Sequence, residues 1–187
     1  MIADCARLGY LKETDYVVDP TYGRGTWWKV WAPTLMAASD LYEDERAPFD
    51  FTNLPYADDT FDAGVFDPPY VSQGGRDTST VPHLTEGRYG LYAAPRTPAG
   101  VQELVNAGLT EVSRVVKPRG YILCKVKDYV SSGRYVPAQY LTTHHAVEKL
   151  ALELVDTLHY LTKSVVNSQT TQVHARRNHS TLLVFRV

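Results

Sequence analysis

Two adjacent prolines, Pro68 and Pro69, cut off an apolar run at residues 63–66. Proline has no N–H to give to a sheet ladder, so a central strand has to end there. Asp67 stands between the run and the prolines. A similar order occurs upstream, where residues 15–19 (Asp-Tyr-Val-Val-Asp) form a short apolar run followed by Pro20 and a glycine-rich turn. Residues 35–39 form another, followed by Asp40. Short strands that stop abruptly and give way to helical patterns read as an α/β sheet.

The remaining pattern extends this reading. A weak helical pattern covers residues 2–11, and a helix is expected to begin near Thr26. Residues 49–51 are a further candidate strand. Thr97-Pro98 has the form of an N-cap with proline at the first helical position. Val101, Leu104, Val105, Leu109, Val112, Val115 and Val116 then share one helix face, up to Lys117-Pro118-Arg119-Gly120. A strand at 121–126, a helix at about 143–155 and strands at 158–161 and 181–187 complete the chain. No helix separates the last two strands, so they are expected to pair antiparallel. Two long polar connections, 71–96 and 162–179, interrupt the pattern.

The chain has 187 residues, 44% of them hydrophobic, which suits one domain with a sizeable core. The net charge of −2 rules out a generic polycation that grips nucleic acid by bulk charge. The distribution is more informative. Residues 1–62 carry 5 basic and 12 acidic residues, whereas residues 63–187 carry 14 basic and 9 acidic. The second part therefore offers an anion-facing side. Two isolated cysteines, Cys5 and Cys124, make neither a disulfide framework nor a four-cysteine metal site. No apolar run has the length of a membrane span, and the start lacks the basic residues of a signal peptide. A cytoplasmic protein without membrane or metal is the expectation.

Four segments carry candidate chemistry. Asp19-Pro20-Thr21-Tyr22-Gly23-Arg24-Gly25-Thr26 follows the first strand, where open α/β sheets bind ligands. Its glycines allow close approach of backbone to a ligand, although an ordinary strand-to-helix turn has the same look. Asp40, at the end of the second strand, is placed to accept ribose hydroxyls. Asp50-Phe51 pairs an acid with an aromatic ring, as an adenine site requires and as a turn beside the core also provides. Asp67-Pro68-Pro69-Tyr70 is the sharpest. Asp67 and the Pro68 carbonyl can each accept a hydrogen bond from an exocyclic amine, Tyr70 can stack on the base, and the prolines hold the turn rigid.

In these residues the chain resembles the S-adenosylmethionine-dependent amino-methyltransferases of DNA, the adenine-N6 and cytosine-N4 type. Asp67-Pro68-Pro69-Tyr70 matches that family's catalytic motif. Asp19-Pro20-Thr21-Tyr22-Gly23-Arg24-Gly25-Thr26 resembles its cofactor motif, with Thr21 and Tyr22 in place of the commoner Phe and small residue. Residues 114–120 resemble the helix-to-strand turn of class I methyltransferases. The resemblance implies a Rossmann-like fold with a seven-stranded, mostly parallel sheet, an antiparallel last strand and helices on both faces. It also implies S-adenosylmethionine as cofactor, held by Asp19, Pro20, Thr21, Gly23, Gly25, Thr26, Asp40, Asp50 and Phe51.

The catalytic set implied is Asp67, Pro68, Pro69 and Tyr70, acting on a nucleic acid, with adenine N6 in DNA as the first reading. An RNA base, cytosine N4 in DNA and a catalytically silent binder are the alternatives. The core takes up residues 1–187 as one catalytic domain, with no separate target-recognition domain expected. Substrate contacts are therefore expected from the two polar connections, through Arg88, Tyr89, Lys163, Arg176 and Arg177. Trp27 and Trp31, four apart, are read mainly as core. His144-His145 does not have the spacing of a metal site, and neither cysteine follows a proline in a strand-end turn, so thiolate attack on a base is disfavoured.

Overall fold

The computed structural model describes residues 1–39, 49–69, 95, 97–161, 173–175 and 177–187. Helix α1 (Ile2–Arg7) leads into β1 (Tyr16–Asp19), a single 3-10 turn (Thr26–Trp28), β2 (Leu35–Ala38) and β3 (Phe61–Phe66). Helix α2 (Pro98–Val115), β4 (Val116–Val126), β5 (Tyr129–Ser131) and β6 (Arg134–Val136) follow. Helix α3 (Ala138–Leu150), β7 (Glu153–Leu161) and β8 (His179–Arg186) end the described chain.

The described residues form a six-stranded sheet, ordered β2-β1-β3-β4-β8-β7, and a separate β5-β6 hairpin. The β2-β1, β1-β3 and β3-β4 pairs are parallel. Strand β8 alone runs against its neighbours, antiparallel to both β4 and β7. The expected mostly parallel sheet and the antiparallel final pair are thus borne out.

The strand side chains divide between two cores, one on each face of the sheet. Val18, Phe61, Phe66, Ile122, Cys124, Leu183 and Phe185 join the first core with the apolar face of α2. Val17, Ala63, Val65, Leu123, Leu182 and Val184 join the second with Ile2 and Cys5 of α1. Along β1, β8 and residues 121–126 of β4, and from Ala63 onward in β3, this is the period of two that a pleated strand imposes, while Phe61 lies across the irregularity between it and Ala63. Gly64 belongs to the close packing of α2 on β3, because a Cβ there would stand 2.6 Å from Val112 Cγ1.

Several expected boundaries move, each for a local reason. No α-helix grows from Thr26. Pro33 and the bond from Thr34 N–H to the Glu13 carbonyl at 2.9 Å return the chain to the sheet within a few residues. Residues 49–51 are not a strand, because Asp50 folds them into a turn by accepting the Thr52 N–H at 2.8 Å. The helix expected at 143–155 begins instead at Ala138 and ends at Leu150, where Ala151 adopts a left-handed φ of 56°. Strand β7 then starts at Glu153, earlier than the expected 158. The chain after α2 is already extended at Val116, so Lys117-Pro118-Arg119-Gly120 belongs to β4, with a register shift opposite Phe61 and Ala63. Helix α1 stops at Arg7, short of residue 11. Six strands make up the described sheet, against the seven that the resemblance implies. The β5-β6 hairpin was not expected.

Candidate functional site

The strand order reverses between β1 and β3: β2 lies to one side of β1, and the chain crosses to the other side for β3. Beyond the carboxyl ends of strands that part in this way lies an open crevice, the ligand site of open α/β sheets. Asp19 closes β1 and Asp67 follows β3 directly, so both acids stand at the rim of that crevice.

Their side chains share a face. Val17 and Asp19 alternate along β1, and Ala63, Val65 and Asp67 along β3 and just past it. Leu123 and Lys125 do so on β4, where Cys124 is in register with Phe66. The period of two therefore sets Asp19, Asp67 and Lys125 side by side on the α1 face of three adjacent strands. Lys125 Nζ contacts both oxygens of Asp67, at 2.9 Å to Oδ2 and 3.1 Å to Oδ1. The same ammonium stands 5.1 Å from the centre of the Trp27 ring, within cation–π reach.

Asp19 is only 3% exposed, and its oxygens are engaged locally. Oδ2 accepts the Trp28 indole N–H at 2.7 Å, while Oδ1 accepts the Thr21 N–H at 3.0 Å and the Thr21 hydroxyl at 3.2 Å. The Thr21 hydroxyl accepts in turn the Asp67 N–H at 2.8 Å. Burial pushes the Asp19 carboxyl up to about 7 against these hydrogen bonds, and the nearby Asp67 adds to the rise. Burial also raises Asp67, while Lys125 opposes the shift.

The first turn has the expected backbone. Gly23 and Gly25 have φ of 53° and 64°, in the left-handed region that glycine enters without cost. A Cβ on Gly25 would collide with the Tyr22 hydroxyl, so the ring of this residue takes the space directly over that glycine. Backbone bonds gather three segments at the crevice. Tyr22 N–H donates to the Ser39 carbonyl at 3.0 Å, and Ser39 N–H to the Asp19 carbonyl at 2.9 Å. The Phe49 N–H donates to the Ser39 hydroxyl at 3.0 Å.

Asp50 is exposed and uses Oδ1 for both the Thr52 N–H and the Thr52 hydroxyl. Phe51 packs edge-on against Phe66 with ring centres 5.3 Å apart. Pro20 and Thr26 flank the turn, and Pro68 is buried behind Asp67 with Pro69 half-buried. The ends of β1 and β2 and residues 49–51 thus converge, with acids at two of the three and a glycine turn between. The side chains gathered here are hydrogen-bond acceptors and an aromatic ring around a glycine turn, groups able to receive the hydroxyl and amino groups of a ligand. Asp40, Tyr70, Arg88, Tyr89, Lys163 and Arg176 lie outside the described residues.

Arg177 lies apart from the crevice acids, with its guanidinium 4.2 Å from the centre of the Tyr135 ring on the hairpin and Nη1 donating to the Ala175 carbonyl at 2.7 Å. Because β8 runs antiparallel to β4, with Val126 opposite Thr181, Arg177 stands at the same end of the sheet as Asp67. Trp27 and Trp31 pack against the second core and line a cavity of about 730 Å³ with α1, so neither is simply interior. Trp28, not singled out from the sequence, is the buried one. His144 stacks on Tyr140, and His145 Nε2 lies 3.2 Å from the Thr110 hydroxyl. Both cysteines are buried, which raises their thiols away from thiolate character. Among the described residues no helix is long and apolar enough to cross a membrane.

Sequence reasoning missed Lys125 and Trp28. A lysine inside the apolar run Tyr-Ile-Leu-Cys-Lys-Val was the signal for the first, since a lysine is buried only beside a partner.

Neither any protein-family model nor any curated protein sequence matches the chain. Solved structures do. A protein of Bacillus halodurans provisionally named a methyltransferase is 15% identical, with a TM-score of 0.58, covering 99% of this chain and 97% of its own. An S-adenosylmethionine-dependent methyltransferase of Methanosarcina mazei is 10% identical, with a TM-score of 0.55, covering 97% and 96%. The cytosine-N4-specific PvuII DNA methyltransferase is 11% identical, with a TM-score of 0.50, covering 71% of this chain and 44% of that one. The chain thus spans less than half the length of that enzyme. At these identities the likeness is one of fold: the chain has the Rossmann-like fold of S-adenosylmethionine-dependent methyltransferases.

Proposed function

We propose that this protein methylates an exocyclic amino group of a nucleobase, with adenine N6 in DNA as the target and S-adenosylmethionine as the methyl donor. The observation that carries the reading is the position of Asp67-Pro68 at the strand-order reversal, next to the Asp19–Thr26 turn. The residues that would hold the cofactor are Asp19, Pro20, Thr21, Gly23, Gly25, Thr26, Asp40, Asp50 and Phe51. Bound there, the cofactor supplies a methyl group already activated on a sulfonium.

The chain's own residues address the weak partner in such a reaction. The lone pair of an aryl amine is delocalised into its ring. Asp67 and the Pro68 carbonyl each accept one of its N–H bonds, which draws the nitrogen toward tetrahedral geometry and localises that pair. In the transfer the amine nitrogen would gain the methyl carbon as the carbon–sulfur bond of the donor breaks to leave a neutral thioether, and its surplus proton would pass to water, with Asp67 serving throughout as a hydrogen-bond acceptor. Pro68 and Pro69 keep the two acceptors preorganised. Tyr70 stacks on the base, which offsets part of the few kcal/mol needed to rotate it out of a duplex. Arg88, Tyr89, Lys163, Arg176 and Arg177 contact the nucleic acid.

Cytosine N4 is the second reading, supported by the likeness to the PvuII enzyme, since it presents the same amino group to the same two acceptors. Incubation with labelled cofactor and parallel DNA and RNA pools, followed by nucleoside mass spectrometry, tests the proposal. N6-methyladenine in the DNA pool is the expected product. N4-methylcytosine, or label in RNA alone, reassigns the target. No transfer to either pool refutes the enzymatic reading.

A further inference from the structure

A lysine with most of its side chain buried at the second-last position of a central strand needs a reason. Lys125 lies between buried Cys124 and Val126 in β4, with its side chain 15% exposed, and Asp67 is 24% exposed. Its ammonium binds both carboxylate oxygens and faces the Trp27 ring. Thr21 holds the Asp67 backbone from the other side. A half-buried carboxylate without a cation turns toward its neutral form, and a protonated acid presents an O–H where an acceptor is needed. Each ionised oxygen offers about two acceptor sites, so the lysine leaves capacity on both.

We propose that Lys125 is a positioning residue of the Asp67 turn: by clamping both oxygens it presents Asp67 to the target amine as a charged acceptor in one fixed orientation. The inference rests on the proposed amine methylation and adds to it a residue that touches neither cofactor nor base. The described titratable groups on the Asp67 face are Lys125 from β4 and Asp19 from β1, and the Cys124 thiol, on the other face of β4, feels Asp67 only through its charge. Asp19 and Cys124 give no positive charge, so Lys125 is the described cation in direct contact with Asp67.

Carboxyl-carbon NMR titration of Asp67, alongside methyl-transfer rates across pH, tests this in the wild type, Lys125→Gln and Lys125→Arg. In Lys125→Gln the Asp67 midpoint is expected to rise by a pH unit or more. The acid limb of kcat should follow it, with a tenfold or greater loss at neutral pH that shrinks as pH is raised. Lys125→Arg should restore both. An unmoved Asp67 midpoint, or a rate loss uniform across pH, overturns the proposal. If Lys125→Gln does not fold, the wild type decides, because its Lys125 Nζ resonance must shift with the Asp67 titration; a resonance indifferent to it overturns the proposal as well. Should the wild type methylate no nucleobase amine, the methylation reading falls, while the titration still reports on the clamp.

Discussion

Asp67 donates its backbone N–H to the hydroxyl of Thr21 at 2.8 Å, across 46 positions of sequence. That hydroxyl also contacts Asp19, which holds the Trp28 indole. One threonine thereby ties the ends of β1 and β3 together at the mouth of the crevice. The residue that joins the two turns is also the one at which the first turn departs from the motif it resembles.

Replacing Thr21 with valine removes the acceptor and leaves the Asp67 N–H without that partner. Losses of this kind cost about 1–3 kcal/mol. Thr21→Val is expected to lose stability on that scale in urea unfolding and to lose methyl-transfer rate, because the Asp67 turn is no longer pinned. Thr21→Ser keeps the hydroxyl and should stay close to wild type on both counts. Equal behaviour of the two variants would deny the hydroxyl this role.

Much of this arrangement was legible in the sequence because it depends on chain-local physics. Prolines end strands, so the stop after Phe66 and the position of Asp67 could be read directly. Thr97 before Pro98 marked the start of α2, and its side chain does cap the Gly100 N–H at 3.1 Å. Where reading failed, the deciding contact was distant or belonged to a turn. Trp28 is called inward by Asp19, a contact that helical spacing of Trp27 and Trp31 could not suggest. Lys125 finds Asp67 only through the β3-β4 register, 58 positions away. Asp50 turns residues 49–51 back by a side-chain bond that competes with strand pairing.

Asp19 gives a prediction in pH. Its carboxyl is raised in the folded protein to about 7, chiefly by burial, from an ordinary value of 3.8. The folded state therefore binds more protons than the unfolded state between these values. The stabilising contribution is full below the unfolded value and is lost as pH rises through about 7. Asp19→Asn cannot titrate and lacks this dependence. Thermal unfolding of both proteins from pH 5 to pH 8 should show the wild type losing ground to the variant as pH rises. Parallel curves would place the Asp19 titration elsewhere.

The hairpin and the segment packed on it give a prediction in salt. Arg134 is exposed on β6, and Arg177 lies over Tyr135 on the same hairpin, at the sheet end that carries Asp67. If these arginines meet phosphates, each adds about one counterion to the salt dependence of binding. Arg134→Ala combined with Arg177→Ala should weaken binding evenly across sequences and flatten the logarithmic salt slope by about 2. Titration of a labelled duplex at several salt concentrations measures this. An unchanged slope assigns both arginines to the fold.

The sharpest expectation concerns the side chain of Asp67 itself. Removal of one preorganised polar contact at a reacting group lowers the rate by about 10²–10³. Asp67→Ala is expected to lose at least that much transfer to adenine, with cofactor affinity near wild type by calorimetry, because the Asp19–Thr26 turn is untouched. The alanine variant also strips Lys125 of its carboxylate partner, so its rate is read together with its stability. Asp67→Asn separates the two effects. Its amide oxygen still accepts a hydrogen bond in a side chain of the same shape, but the charge is gone. A variant that folds as the wild type does, by circular dichroism and thermal unfolding, and still loses most of its turnover assigns the effect to the charged acceptor. Full activity in Asp67→Ala would remove Asp67 from the mechanism, and the Lys125 clamp would then serve the fold alone.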